Sequence, residues 1–211
     1  MFIYVINGEG SMVNWNDEIK KWLTSGTDTK EDIMDMVWNV KDEKTYLIAE
    51  NPKIPFTLYI YNSEKFIRII ASTGLNTALL EPLQRLDIYR KLLLLNDKID
   101  MTKFVISGTN EEIILKVDLD VASLAKKEFG DALMGVLTSL YMMIREFQLE
   151  DEFNKRLTDR IVNMIQEKIA EGATREELLE FLVKKIGLDQ KTAENILNEI
   201  TNKFEYLPEY Q

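Results

Sequence analysis

Apolar positions along this chain change period several times, and each change marks an element. Trp15, Ile19, Trp22 and Leu23 recur at helical spacing and predict a helix opening at Met12. Between Met36 and Thr73 the pattern turns to strands. Segments 38–40, 45–49, 56–61 and 66–72 are rich in Ile, Val, Tyr and Phe, and Lys41-Asp42-Glu43, Asn51-Pro52 and Asn62-Ser63 punctuate them. Thr57, Tyr59 and Tyr61 alternate with Phe56, Leu58 and Ile60, as in strands with two differently packed faces. The expectation is an antiparallel meander of three strands with a short lead-in strand, closed by Gly74.

Residues 77–97 then read as a helix. Leu79, Leu83, Leu86, Tyr89/Arg90 and Leu93 form its apolar stripe, and Pro82 sits in the first turn, where its missing N–H costs nothing. Strands 103–107 and 112–118 follow as a hairpin around Gly108-Thr109-Asn110-Glu111. A long helix from 125 to 147 carries Phe129, Leu133, Val136, Leu140 and Ile144, widened by Ala132, Leu137 and Tyr141, with Asp120 or Ser123 as its cap. No Gly or Pro lies between Val136 and Glu171, so this helix and the next could be one long bent rod. Gly172 stops that run and Thr174-Arg-Glu-Glu177 is a capping box. Gly187 is the next stop, and Asp189 caps a last helix with Ala193, Ile196, Leu197, Ile200 and Phe204 inward.

Strands and helices do not alternate as βαβ units, so the fold class is α+β: α-βββ-α-ββ-α, an antiparallel sheet with packed helices, then a small helical module. The division is 1–150 for the α+β domain and 151–211 for the C-terminal helices. Met12 is an alternative start, which would make residues 1–11 an upstream extension.

Composition narrows the chemistry. The 211 residues include no His and no Cys, which removes imidazole acid/base catalysis, thiolate nucleophiles and the common zinc ligand sets. The net charge is −10, and both parts are acidic: 17 bases against 23 acids in 1–150, and 9 against 13 in 151–211. Nucleic-acid binding, which rests on Lys and Arg neutralising phosphates, is therefore not expected. Lys184, Lys185 and Lys191 are too few, among Glu176, Glu177, Glu180, Glu194 and Glu199, to make the last helices a helix-turn-helix reader. No segment predicts a membrane span, and a cytoplasmic protein is expected. Abundant Ile, Glu and Lys lean towards a thermophile.

Particular residues in this order resemble the type III secretion chaperone-like superfamily and its YbjN-type relatives. They are Lys91-Leu-Leu-Leu-Leu-Asn96, Phe104-Val-Ile-Ser-Gly108 and Ile113-Ile-Leu-Lys-Val-Asp-Leu119, followed by the apolar helix from Ala125. The resemblance spans about residues 12–148. It implies a fold that dimerises and offers apolar grooves to protein segments; it implies nothing about secretion, and the tail from 151 lies outside it.

The sequence carries no recognisable catalytic set. Gly8-Glu-Gly10 lacks the third glycine of a dinucleotide fingerprint, which would fall at Val13, and reads as a turn. Acidic clusters at Glu31-Asp32…Asp35, Asp118…Asp120 and Glu150-Asp151-Glu152 hold oxygens suited to hard cations. However, an EF-hand starting at Asp118 would need Gly where Ser123 stands. No catalytic, cofactor or metal residue is assigned. Met134, Tyr141, Met142 and Met143 lie off or at the edge of the main stripe of helix 125–147, and Met-rich surfaces adapt to varied partners. These four are the candidate partner-binding residues. Covering by the C-terminal helices is the alternative account of them. The expectation is a non-enzymatic, chaperone-like homodimer that binds an unidentified polypeptide. The alternatives are a carboxylate–metal hydrolase built on Asp118 and Asp120, or a nucleic-acid regulator acting through the C-terminal helices.

Overall fold

Alternating Leu, Ile and Tyr between positions 46 and 71 build the centre of a six-stranded antiparallel sheet. The computed structural model describes residues 5–6, 12–29 and 32–205. The Gly8–Gly10 turn, Glu31 and the side chain of Phe204 lie outside the described residues. By contacts the chain divides into two units, Met1–Glu150 and Asp151–Gln211.

In the first unit, β1 (Val5–Ile6) pairs with β2 (Met12–Val13) as a two-stranded ribbon. Met12 is thus in a strand and does not open a helix. α1 (Trp15–Thr24) starts only after Asn14, whose extended backbone lets its side chain accept from the Asn16 N–H at 3.2 Å. The main sheet comprises β3 (Asn39–Asp42), β4 (Tyr46–Glu50), β5 (Leu58–Asn62), β6 (Phe66–Asn76), β7 (Lys103–Ser107) and β8 (Glu112–Asp120). Its order is β3-β4-β5-β6-β8-β7, antiparallel throughout.

Gly74 does not end β6. It sits in a bulge between Ser72 and Leu75 at φ +72°, where the buried Thr73 hydroxyl donates to the Ile113 carbonyl at 2.6 Å. That bond supplies the pairing the glycine interrupts, and the strand continues to Asn76.

One sheet face is core. Leu47, Ala49, Leu58, Ile60, Ile67, Ile69, Ala71, Ile113, Leu115 and Val117 are buried there. α1 packs over β3 and β4, and α3 (Lys126–Phe147) over β6 and β8. α2 (Pro82–Lys98) packs on α3 and β7. Trp22 joins the layers, with its ring 5.6 Å from that of Phe129 and its Nε1 donating to Glu18 at 2.8 Å. Phe129, Leu133, Val136, Leu140 and Ile144 of α3 are all buried, as their spacing requires. The helix is capped differently from expectation. Asp120 accepts from the Ala122 N–H two residues on, and Ala125 takes the N-cap position without a side-chain bond.

α3 is also separate from the helix that follows. Gln148 adopts a left-handed conformation, φ 55°, and its N–H and that of Leu149 close the helix end on Arg145 and Ile144 before α4 (Glu150–Ala170) begins. A non-glycine residue makes this stop, so absence of Gly and Pro gave no warning of it.

The second unit holds α5 (Arg175–Glu180), which continues into a π-helical turn at Phe181–Ile186, and α6 (Gln190–Glu205). Thr174 and Glu177 form the full capping box, Gly172 and Gly187 carry positive φ, and Asp189 accepts from the Thr192 N–H at 3.0 Å. Ile165, Leu178, Leu182, Ala193, Leu197 and Ile200 are its own core.

Candidate interaction surface

α2 is apolar on two sides, and only one is buried. Leu92 and Leu95, with Ile99 just beyond, face the core, whereas Leu83, Leu86, Leu93 and Leu94 are 81%, 63%, 68% and 50% exposed. Leu79, just before the helix, is fully exposed. The stripe selected by spacing is therefore the outer one, and the inner face is the Leu92–Leu95–Ile99 row. Periodicity alone cannot choose between two apolar faces of one helix.

A polar cluster holds α2 in this orientation. The Tyr89 hydroxyl donates to Glu111 Oε2 at 2.8 Å and lies 2.6 Å from Thr77 Oγ1, while Arg85 pairs with Glu111 at 2.6 Å. At the other end, the Asn96 amide donates to the Phe104 carbonyl at 3.0 Å, and its oxygen accepts from the Phe104 N–H at 2.8 Å. Asn96 thereby satisfies backbone groups of the edge strand β7. With the helix pinned at both ends, its leucine face is held outward.

The four α3 residues selected from sequence separate. Met134 and Tyr141 are exposed, at 46% and 45%, and Met142 is half-buried. Met143 is fully buried and packs the core, so it does not belong to that surface. The Tyr141 ring meets Phe56 edge-on at 6.1 Å, and partial burial pushes its hydroxyl above the usual phenol range. Met134 borders a groove of about 580 Å³ with Ile33 and Met34, rimmed by Lys126 and Lys127.

The outer sheet face carries the aromatic rungs Tyr46, Tyr59 and Tyr61, with Tyr46 stacked on Tyr61 at 5.1 Å. Further along it, Arg68 Nε meets Asp118 at 2.5 Å and Lys116 approaches the same carboxylate at 3.6 Å. Partial burial pushes the Asp118 carboxyl up, but the Arg68 hydrogen bond and charge outweigh it, so the net shift is downward.

Five of the acidic residues proposed for cation chemistry have structural employment. Asp35 accepts from the Thr27 and Thr29 N–H groups, Asp32 from the Met34 N–H, and Glu152 pairs with Arg156 at 2.6 Å. Asp118 is tied to Arg68 and Asp120 to its own turn. Among the described residues, no three carboxylates converge on a common point. In the second unit, Lys184 is paired with Glu180 at 2.6 Å. No helix among the described residues is long and apolar enough to cross a membrane.

A family model described as "Domain of unknown function (DUF8183)" matches residues 18–147, well over half of the chain. The chain belongs to the DUF8183 family. Its match runs from within α1 to the end of α3, so it includes the exposed face of α2 and the Glu111 cluster. Beyond the DUF8183 region, a second model, HTH_78, again described only as a domain of unknown function, matches residues 148–206. No curated protein matches. In fold, this DUF8183 protein is similar to the crystal structure of YbjN from E. coli, described as a candidate transcription regulator. The TM-score is 0.47 and the identity 15%, over 70% of this chain and 96% of that one.

Proposed function

We propose that this protein is a non-enzymatic, chaperone-like interaction protein of the cytoplasm that acts as a homodimer and binds polypeptide through apolar surface. The observation that carries the reading is the outward leucine face of α2. Leu79, Leu83, Leu86, Leu93 and Leu94 together offer on the order of 600 Å² of apolar surface per copy, at the upper end of what a typical monomer exposes in one patch. Two such faces together approach the lower end of specific protein interfaces, roughly 1,200 Å². Met134, Tyr141 and the half-buried Met142 remain candidates for a polypeptide partner, since they lie on α3, a different helix.

Light scattering on the full chain tests the reading. The expected mass at micromolar concentration is twice 24.6 kDa, and a particle of 24.6 kDa would overturn it. Replacing Leu86 and Leu93 with Glu should give a folded monomer with unchanged far-ultraviolet circular dichroism, because both side chains are exposed.

A further inference from the structure

The start of α3 carries a row of unlike residues. Lys126, Gly130 and Met134 follow one another at four-residue spacing on one helix face. The row has a charge at one end, bare backbone in the middle and an apolar thioether at the other. The loop before β3 closes on it through the buried Ile33 and through Met34, whose Cγ leans to 2.7 Å from the place of a Cβ on Gly130. Together they bound the groove of about 580 Å³.

The charges around this groove are not equivalent. Lys127 is neutralised by Asp131 at 2.6 Å, and Asp32 turns back to accept from the Met34 N–H at 2.8 Å. Lys126 is exposed, reaches the Ser25 hydroxyl at 3.5 Å and pairs with no carboxylate among the described residues. One uncompensated ammonium therefore stands at one end of an apolar trough. Ala125, at the N-cap, offers no side-chain acceptor to the first N–H groups of α3, so the field at that end also favours negative charge.

We propose that this groove binds a linear alkyl carboxylate, a free acyl chain of medium length lying along α3. Its carboxylate pairs with Lys126, and its chain runs over Gly130 between Met34 and Met134. Lys126 and Met134 are eight residues apart, about 12 Å by helical rise. An extended chain of roughly ten carbons, advancing about 1.25 Å per bond, has the same length. A single ammonium matches a single negative charge, and unbranched, polarizable methionines adapt to an unbranched chain. A side chain at position 130 would stand in its path. The inference goes beyond the homodimer reading and uses no residue of α2, so either can fail alone.

Calorimetric titration of the full chain with decanoate, kept below its micelle concentration, tests this. Saturable binding of one decanoate per chain is expected. A fully buried methylene is worth about fourfold in affinity, and this groove is open on one side, so hexanoate should bind at least about tenfold more weakly. Decyltrimethylammonium, with the same chain and the opposite charge, should also bind at least about tenfold more weakly. Lys126→Glu should weaken decanoate binding by about tenfold or more, while Lys126→Arg stays within about threefold. Position 126 is exposed, and unchanged far-ultraviolet circular dichroism will show both variants to be folded. No saturable uptake of decanoate overturns the proposal. Equal affinity for decyltrimethylammonium, or unchanged affinity in Lys126→Glu, overturns it as well, since the chain would then be adsorbed on apolar surface elsewhere. Sedimentation with phosphatidylglycerol vesicles, without decanoate binding, would overturn the free ligand in favour of a membrane surface.

Discussion

The Cγ of Met34 stands 2.7 Å from the point a Cβ on Gly130 would occupy. The loop after α1 is thus seated against α3 where α3 carries no side chain. Two opposed effects meet there: Gly in a helix costs about 1 kcal/mol relative to Ala, and overpacking costs roughly 1–3 kcal/mol. Gly130→Ala is expected to destabilise the first unit by about 1 kcal/mol in urea titration. In a Met34→Ala background the same change should stabilise by about 0.5–1 kcal/mol, and a destabilising effect in both backgrounds would refute the close-approach account.

Met134 and Met143 lie on one helix and should respond differently. Met143→Ala opens a cavity in the core and is expected to cost about 2–4 kcal/mol. Met134→Ala, on the exposed side, should change stability by less than about 0.5 kcal/mol. Chemical denaturation of both variants checks this, and equal losses would place Met134 in the core.

The Arg68–Asp118 pair gives a pH signature with a defined sign. The folded Asp118 carboxyl sits below its unfolded value, so its contribution is present above the unfolded pKa and is lost as pH falls through the lower folded one. Because both side chains are well solvated, the contribution is at most about 0.5 kcal/mol. The stability difference between the parent and Asp118→Asn should therefore be small at pH 7 and absent below the folded pKa. A difference that grows on acidification would contradict the assignment.

In the second unit, Thr174→Ala removes the hydroxyl that accepts from the Glu177 N–H at 3.3 Å. A loss of about 1 kcal/mol is expected, confined to residues 151–211. Hydrogen exchange should show faster amides in α5 and unchanged protection in β6 and β8. Glu177 accepts from the Thr174 N–H at 2.7 Å, a bond that holds its carboxyl low, so this half of the cap survives until pH falls through that lowered value.

The residues show which parts of this fold a sequence can display. β4 to β8 were legible because period-two alternation leaves one answer once a face is buried. α5 and α6 were legible because Thr174, Gly187 and Asp189 act within a few residues of themselves. α2 was misread in facing, since both its sides are leucine-rich and the choice depends on Glu111 and Phe104, residues outside the helix. The α3 stop was hidden for a related reason: Gln148 takes a conformation that glycine usually announces. The candidate surface was legible only in part. Met134 and Tyr141 are exposed and Met143 is buried, as helical spacing orders them: Met143 lies about 60° from the centre of the Phe129–Ile144 stripe, and the other two roughly 100–120° from it.

The bulge in β6 has a consequence for how this sheet tolerates change in length. Between Ser72, opposite Ile114, and Leu75, opposite Ile113, the strand carries two residues without a ladder position of their own, Thr73 and Gly74. Inside and outside alternate every residue, so an odd surplus would reverse the parity of everything beyond it, whereas an even one leaves it intact. Ile69 and Ala71 before the bulge, and Leu75 after it, consequently keep one phase. At this point the strand can lengthen or shorten in pairs of residues without turning its core side to water.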